Sequence, residues 1–319
     1  MQTHFHMMRK GLCEKKRIPS LFLSLIQHHH HHTFSTPCTI INNKAIMKLL
    51  SLSLLFGLCS AFAPAGRNTA FLQKSSSLSQ NNDASSTALN AKYKKVFVAG
   101  GSRGVGRCVI DKLLANGSEV VALVRSDDAV AELSAIDGVT AIKGDALDYK
   151  TVEGAIDGCD AAITTLGGST SDDAERVDYK GNNHVIEAAG ILGCVRVILV
   201  TSVGCGNSKD APPPSVYEVL KDVLVLKTKA ENVLIKYYTN MNWTIIRPGG
   251  LKSETMTGKA ILSEDTKAIG TIHREDVADL VVKALEAPNT ERKIFAAVDP
   301  SIESAANESG ASFEAFALN

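Results

Sequence analysis

From residue 92 onward, short continuous apolar runs alternate with longer segments in which apolar residues recur at helical spacing. Short runs such as "VRVILV" and "WTIIR" are continuously apolar and β-branched, which is typical of strands covered on both faces. The predicted strands are 95–99, 119–124, 139–143, 161–165, 196–200, 243–247 and 292–297. Helical spacing of apolar residues predicts helices at 105–116, 149–156, 178–192, 217–238 and 275–285. This alternation predicts an α/β fold, a Rossmann-type doubly wound parallel sheet in a single domain at 92–319.

The first ninety residues have a different pattern. From Met47 the sequence reads "MKLLSLSLLFGLCSAFAPAGR", in which a lysine, a short apolar run and small residues predict a signal peptide at 47–61. Residues 62–91 are rich in Ser, Asn and Ala and poor in acids, so a disordered transit peptide is predicted there. The "SAFAP" junction resembles the bipartite plastid-targeting junction of algae with secondary plastids. We therefore expect delivery to the plastid, the chloroplast stroma, with a secreted protein as the alternative.

Residues 1–46 fit neither signal, since a signal peptide begins with its charged end. Met47 is the expected start of translation, and 1–46 is interpreted as an over-extended or disordered N-terminus. Its five-histidine tract at 28–32 is interpreted as low-complexity sequence, and no metal site is predicted.

Charge and cysteine content exclude several classes. Lys plus Arg and Asp plus Glu both total 34, so nothing indicates a nucleic-acid partner. The four cysteines of 92–319 are Cys108, Cys159, Cys194 and Cys205; they contain no CxxC pair, and we expect reduced thiols. Reduced thiols argue against the secreted alternative. No transmembrane span is expected in 92–319.

The stretch "KKVFVAGGSRGVGR" carries the first candidate chemistry. It places a strand, a glycine-rich turn and a helix in the order of a dinucleotide-binding motif. Gly100 allows the tight turn, Gly104 lets the backbone approach a pyrophosphate, and Gly106 lets the helix pack on the strand. The spacing is GxxxGxG, which is that of short-chain dehydrogenases. A structural turn without a ligand is the alternative.

Two arginines predict the choice of cofactor. Arg103 lies within the turn, and Arg125 with Ser126 follows the second strand, where an NAD-specific site has an acid for the ribose 2′-hydroxyl. Cations there suit a 2′-phosphate, so we expect NADP(H) to be preferred over NAD(H). The alternative is that both arginines are solvated surface charges.

Polar and glycine residues also follow the third and fourth strands. In "IKGDALD", Asp145 is placed to accept a hydrogen bond from the adenine amino group, or instead to cap the helix that begins near Tyr149. In "TTLGGST", Gly167 and Gly168 permit backbone close to a ligand.

Several strings in order carry a family resemblance. "VDYKGNNHVIEAAGILGCVRVILVTSVG", "KTKAENVLI", "NWTIIRPGGL" and "HREDVADLVVKAL" resemble the atypical short-chain dehydrogenase/reductases of the NmrA-like, NAD(P)-binding type. Within that family they are most similar to plastid members such as the NADP-binding subunit of the chloroplast import translocon, and more distantly to biliverdin/flavin reductase. The resemblance covers nearly all of 95–297.

The resemblance implies roles residue by residue. It implies cofactor contacts from the glycine turn, the adenine pocket at Ala146, the ribose side at Leu166, and the turn over the nicotinamide. The residues expected to contact the cofactor are Gly100, Ser102, Arg103, Gly104, Val105, Gly106, Arg125, Ser126, Asp145, Ala146, Leu166, Gly167, Pro248 and Gly249. Ser202 occupies the position of the family's catalytic serine.

The catalytic tyrosine of the wider family is missing from its expected place. In that family a YxxxK pair supplies an acid and a lysine that holds the nicotinamide ribose. Lys227 matches the lysine, and the tyrosine's position is then Val223. Tyr217 and Lys221 also form YxxxK, but they lie earlier than the match requires.

Two functions remain open on the sequence. One is an NADPH-dependent oxidoreductase acting on an unknown small acceptor, with Ser202 and Lys227 as its catalytic residues. The other is a non-catalytic NADP(H)-binding redox sensor or assembly factor for a plastid membrane complex. The intact cofactor turn favours the first, and the missing tyrosine favours the second.

Overall fold

The computed structural model describes residues 91–168, 175–303 and 314–319. The predicted signal peptide, the predicted transit peptide up to residue 90, and residues 1–46 lie outside the described residues. Within the described part of the chain, no helix is long and apolar enough to cross a membrane.

Eight strands form the central sheet, in the order β3-β2-β1-β4-β5-β6-β10-β8. They are β1 Lys95–Ala99, β2 Glu119–Val124, β3 Val139–Lys143, β4 Ala161–Thr164, β5 Arg196–Val200, β6 Asn242–Pro248, β8 Ile261–Ser263 and β10 Lys293–Val298. All neighbours pair in parallel except β8, which runs antiparallel to β10. Two further strands, β7 Gly250–Lys252 and β9 Thr271–His273, pair in parallel beside the sheet.

Helices cover both faces of the sheet. They are α1 Gly104–Ala115, α2 Asp127–Ser134, α3 Tyr149–Ile156, α4 Asn182–Ile191, α5 Pro214–Tyr237 and α6 Arg274–Glu286. Alternate residues of β1 point to opposite cores: Val96 and Val98 pack with α1, α2 and α6, while Phe97 and Ala99 pack with α3, α4 and α5. The predicted Rossmann-type, doubly wound fold class is confirmed, with β8 as the antiparallel exception.

The predicted elements differ from the observed ones in a few places. Each predicted strand is present, with ends that agree to within a residue. The helix predicted at 178–192 begins as a π-helical turn, Glu175–Gly181, before α4. The short helix α2 was not predicted because its sequence, "DDAVAELS", is short, half polar, and places only Ala129 and Leu133 in the core.

The strand order fixes where a ligand can bind. A topological switch point lies between β1 and β4. From β1 the chain adds β2 and β3 on one side of the sheet, and it then returns to add β4, β5 and β6 on the other side. In open α/β sheets, ligands bind outside the carboxyl ends of the strands at such a switch point.

Candidate cofactor site

A cleft of about 930 Å³ lies at the carboxyl ends of β1, β2, β3 and β4. All of the residues expected to contact the cofactor line it, apart from Pro248 and Gly249. The structure thus brings the glycine turn, the two arginines and the ends of the third and fourth strands to one place. Gly168, which the sequence indicated as backbone close to a ligand, lines it as well. Residues that the sequence did not indicate also line it: Leu123, Val124, Asp128, Ala129, Glu132, Gly144, Thr165, Val177, Leu251 and Arg274.

The glycines of the turn are required by its geometry. Gly100 and Gly104 have φ of +88° and +61°, which L side chains rarely adopt. A Cβ on Gly106 would lie 2.2 Å from the carbonyl oxygen of Gly100, so only glycine lets α1 start this close to β1. The tight turn at Gly100 and the close packing at Gly106 are thus present, and the approach of Gly104 to a pyrophosphate stays a prediction.

The N-terminus of α1 is open to an anion. No described side chain caps it, and its first turn contains no acid. In α2, by contrast, the Ser126 hydroxyl accepts from the Ala129 N–H, and acids occupy the first turn. Since free N–H groups and the helix dipole attract negative charge, α1 suits a pyrophosphate.

The side of the cleft at the carboxyl end of β2 combines charges of both signs. Arg103 and Arg125 are exposed, and no acid within the described ranges forms an ion pair with either. Asp128 and Glu132 of α2 also line the cleft, which the sequence did not indicate because α2 itself was not predicted. This side of the cleft therefore presents two guanidinium groups and two carboxylates.

Asp145 does not cap α3. Its Oδ1 accepts from the Leu147 N–H at 2.9 Å, while Asp148 is the N-cap and accepts from the Lys150 N–H at 3.2 Å. The cap alternative is therefore wrong, and the contact with adenine stays a prediction. Ala146 is buried, and its carbonyl oxygen lies 2.9 Å from Nδ1 of His184.

Lys227 of α5 does not itself line the cleft, but it contacts the backbone that follows β4. Its ammonium donates to the Leu166 carbonyl at 2.9 Å and lies 3.0 Å from Oδ1 of the fully buried Asp178. The other carboxylate oxygen of Asp178 accepts from the Gly168 N–H at 2.9 Å. Asp178 was not identified as a site residue from the sequence. The one available signal was that an acid begins the helix predicted from apolar spacing at 178–192.

Ser202 and the Pro248–Gly249 turn lie beyond the cleft lining. The Ser202 hydroxyl donates to the Val203 carbonyl at 3.0 Å and is half-buried. A Cβ on Gly249 would lie 2.2 Å from the carbonyl oxygen of Gly270, so backbone packing already requires this glycine. Their roles toward a nicotinamide stay predictions.

A buried ion pair between Glu231 and Arg247 contacts Thr201, the residue before Ser202. The hydroxyl of Thr201 donates to Glu231 Oε1 at 2.7 Å, and Arg247 donates to both oxygens of Glu231 at 3.0 and 2.8 Å. Hydrogen bonds of this kind are charge-assisted and bidentate, so they fix the start of the loop after β5.

The first turns of α5 present an uncovered apolar face. Val216, Leu220 and Val223 precede Lys227 by eleven, seven and four residues, so helical periodicity places them on the same face of the helix. That face is buried from Lys227 onward, but Val216 and Leu220 are 45% and 37% exposed. Tyr217 lies beneath Lys209, with the ammonium 5.6 Å from the ring centre.

The four cysteines are free, as expected for reduced thiols. Burial raises the pKa of Cys159 to about 11 and the pKa values of Cys194 and Cys205 to about 12, so these thiols are protonated at neutral pH. Among the residues that the structure describes, no His, Cys, Asp and Glu side chains cluster in a way that could hold a metal ion.

Comparisons with known proteins bear on this cleft. The model of a family described as NAD(P)H-binding matches residues 100–288. The uncharacterized sugar epimerase YhfK of Bacillus subtilis is 33% identical over 63% of this chain and 92% of its own length. The chloroplastic protein TIC 62 of Arabidopsis thaliana is 27% identical over 65% of this chain, and the match spans 36% of its length.

A solved structure shares both fold and sequence. The anaerobillin reductase ChuY of Escherichia coli O157:H7 is 30% identical, with a TM-score of 0.60 over 66% of this chain and 100% of the ChuY chain. Reductase and epimerase names therefore both occur among the proteins that this chain resembles.

Proposed function

Since the chain belongs to the NAD(P)H-binding family, we propose that it is an NADPH-dependent oxidoreductase that acts on a small acceptor. Membership of this family confirms the resemblance to atypical short-chain dehydrogenase/reductases with plastid relatives. The observation that carries the proposal is the convergence of Arg103, Arg125 and the uncapped N-terminus of α1 on one cleft.

The residues of the cleft fit a phosphorylated dinucleotide. Backbone N–H groups at the start of α1 bind the pyrophosphate, and the guanidinium groups of Arg103 and Arg125 bind the 2′-phosphate. Asp145 accepts from the adenine amino group. When bound, the cofactor supplies the hydride.

The side chains of the protein orient the acceptor and the cofactor but do not supply the proton. Ser202 polarises the acceptor through its hydroxyl, and Lys227 fixes the backbone at Leu166 and offers its remaining N–H to the nicotinamide ribose. Val223 stands where the family has a tyrosine, so solvent or the acceptor provides the proton.

Turnover tests the proposal directly. The full chain is incubated with NADPH and with quinones, flavins or open-chain tetrapyrroles, and NADPH oxidation is followed by absorbance. We expect turnover with at least one of these acceptors, and Ser202→Ala should reduce it. NADPH binding without turnover on any acceptor would exclude the oxidoreductase.

A non-catalytic NADP(H)-binding partner of a plastid membrane complex is the second candidate. The exposed apolar face of α5 at Val216 and Leu220 favours it, as does the partial match to TIC 62. Here the full chain should co-sediment with thylakoid or envelope membranes in a manner that depends on the NADPH/NADP⁺ ratio. The change of Val216 and Leu220 to Ser should abolish co-sedimentation while NADPH binding is retained.

The plastid location is part of the same proposal. Residues 47–91 fused to a fluorescent protein should reach the plastid of a diatom, and Phe62→Ala should divert the fusion to an endomembrane compartment. Plastid delivery of both fusions would show that the "SAFAP" junction is not the signal, and secretion of both would favour the secreted alternative.

A further inference from the structure

Arg274 lies at the glycine turn that precedes α1, although it is 170 residues from Gly104 in the sequence. It is the first residue of α6, it lines the cleft, and it is half-buried. Its Cδ and Nε atoms are 3.8 Å from the position that a Cβ on Gly104 would occupy. The stem of the side chain therefore passes over the glycine at the start of α1.

We propose that Arg274 binds the pyrophosphate of the dinucleotide together with the N-terminus of α1. The inference rests on the proposed cofactor and adds a residue that neither the glycine turn nor the two adenosine-side arginines include. A pyrophosphate is a dianion, and a guanidinium binds its oxygens through two parallel N–H groups.

The guanidinium of Arg274 uses only one of its three nitrogens in hydrogen bonds with the described residues. Nη1 donates to the Ser253 hydroxyl at 2.6 Å and lies 3.5 Å from the Leu251 carbonyl oxygen. Nε and Nη2 form no hydrogen bond within the described residues, and no described carboxylate pairs with Arg274. A half-buried positive charge without an acid partner, facing an uncapped helix N-terminus, is stabilised by an anion between them.

The segment that holds Arg274 is itself fixed. The carboxylate of Asp276 accepts from the N–H groups of Thr257 and Gly258, both at 2.9 Å, and the Thr257 hydroxyl donates to Asp299. The first turn of α6 thus carries both the arginine and the acid that anchors the segment after β7. Because the side chain is already positioned, binding an anion costs it little conformational entropy.

Arg274 and Arg125 should therefore bind different phosphate groups of the cofactor, the pyrophosphate and the 2′-phosphate respectively. Arg274 lies against Gly104 at the helix N-terminus, whereas Arg125 follows β2 at the adenosine end. Two fragments of the cofactor separate these positions: ADP carries a diphosphate and no 2′-phosphate, and 2′-AMP carries a 2′-phosphate and no diphosphate.

The test measures fragment affinities by calorimetry on the full chain. Arg274→Met keeps most of the side chain's length and removes its charge; Arg125→Met is the reciprocal variant, and Lys283→Met, a surface cation of α6 that pairs with Asp279, is the control. We expect Arg274→Met to weaken ADP, NADH and NADPH by a similar factor, roughly ten- to a hundredfold, with 2′-AMP unchanged. Arg125→Met should weaken 2′-AMP and NADPH and leave ADP unchanged.

Three results would overturn the assignment. ADP affinity unchanged in Arg274→Met would remove the pyrophosphate contact while leaving the proposed function intact. Equal weakening of ADP and 2′-AMP binding would mean that the variant acts through the fold or through net charge. A lower melting temperature of Arg274→Met would indicate the fold, and the same weakening in Lys283→Met would indicate net charge. Absence of NADPH and ADP binding in the unmutated chain would remove the proposed function and this contact with it.

Discussion

The ammonium of Lys227 lies 3.0 Å from the carboxylate of Asp178, and both groups are buried. The same ammonium donates to the Leu166 carbonyl, and Asp178 accepts from the Gly168 N–H. The pair thus joins α5 to the backbone that follows β4. A lysine expected to hold a nicotinamide ribose also holds the wall of the cofactor cleft.

The first prediction concerns this pair. Lys227→Met leaves the Asp178 carboxylate buried without a cation, so the free energy of unfolding should fall by about 3–5 kcal/mol. Asp178→Asn in the Lys227→Met background keeps an oxygen for the Gly168 N–H and removes the charge, so it should recover part of that loss. Urea denaturation of the unmutated chain, the two single variants Lys227→Met and Asp178→Asn, and the double variant measures both effects. Additive losses in the double variant would contradict a coupled pair.

The second prediction separates Ser202 from Tyr217. If Ser202 polarises the acceptor, Ser202→Ala should lower turnover about a hundredfold and leave the dissociation constant for NADPH unchanged. Tyr217→Phe should change neither quantity, because Tyr217 lies beneath Lys209, and Lys221 pairs with the exposed Glu218. Loss of activity in Tyr217→Phe alone would instead identify Tyr217 and Lys221 as the working pair.

The third prediction compares two glycines in helices. A Cβ on Gly106 would stand 2.2 Å from the Gly100 carbonyl oxygen, whereas a Cβ on Gly154 would meet nothing within 4 Å. Gly106→Ala should therefore destabilise the protein by about 1–3 kcal/mol and weaken NADPH binding. Gly154→Ala should stabilise it by up to about 1 kcal/mol without affecting binding. Equal effects of the two changes would show that the glycine turn tolerates a side chain at Gly106.

These sites illustrate what the sequence could predict. Local patterns identified the seven long parallel strands, because continuous apolar runs need burial on both faces, and the spacing of the glycines identified the turn. The three-residue strands β7, β8 and β9 are too short to show such a pattern and were not predicted. Asp178 and Arg274 could not be identified from the sequence, because their roles depend on residues far along the chain. Asp178 pairs with Lys227, and Arg274 lies against Gly104 and donates to Ser253. Gly249 matched a family turn, yet its close contact with Gly270 is a packing reason that no local pattern shows.

The fourth prediction concerns pH and the buried thiols. Burial raises the pKa of Cys205 from 9.0 to about 12, so the folded state holds this proton more tightly than the unfolded state does. Its contribution to stability is complete below pH 9 and is lost as the pH rises toward 12, by about 1.4 kcal/mol for each pH unit. Cys205→Ala should therefore show a shallower decrease in stability between pH 9 and 11 than the unmutated chain.

Thiol alkylation provides the companion measurement. At pH 8 in the folded protein, iodoacetamide should leave Cys159, Cys194 and Cys205 unmodified, and all three should react in urea. Rapid labelling of Cys205 in the folded protein would contradict its burial.

The central claim is that the cleft binds NADPH in preference to NADH through Arg103 and Arg125. Calorimetry of the full chain with both cofactors, and with Arg103→Ala and Arg125→Ala, tests it most directly. Two charge-assisted contacts to the 2′-phosphate, weakened by solvent and by Asp128 and Glu132, should favour NADPH on the order of a hundredfold. Each arginine variant should weaken NADPH and leave NADH nearly unchanged, whereas equal affinity of the unmutated chain for the two cofactors, or tighter binding of NADH, would contradict the account.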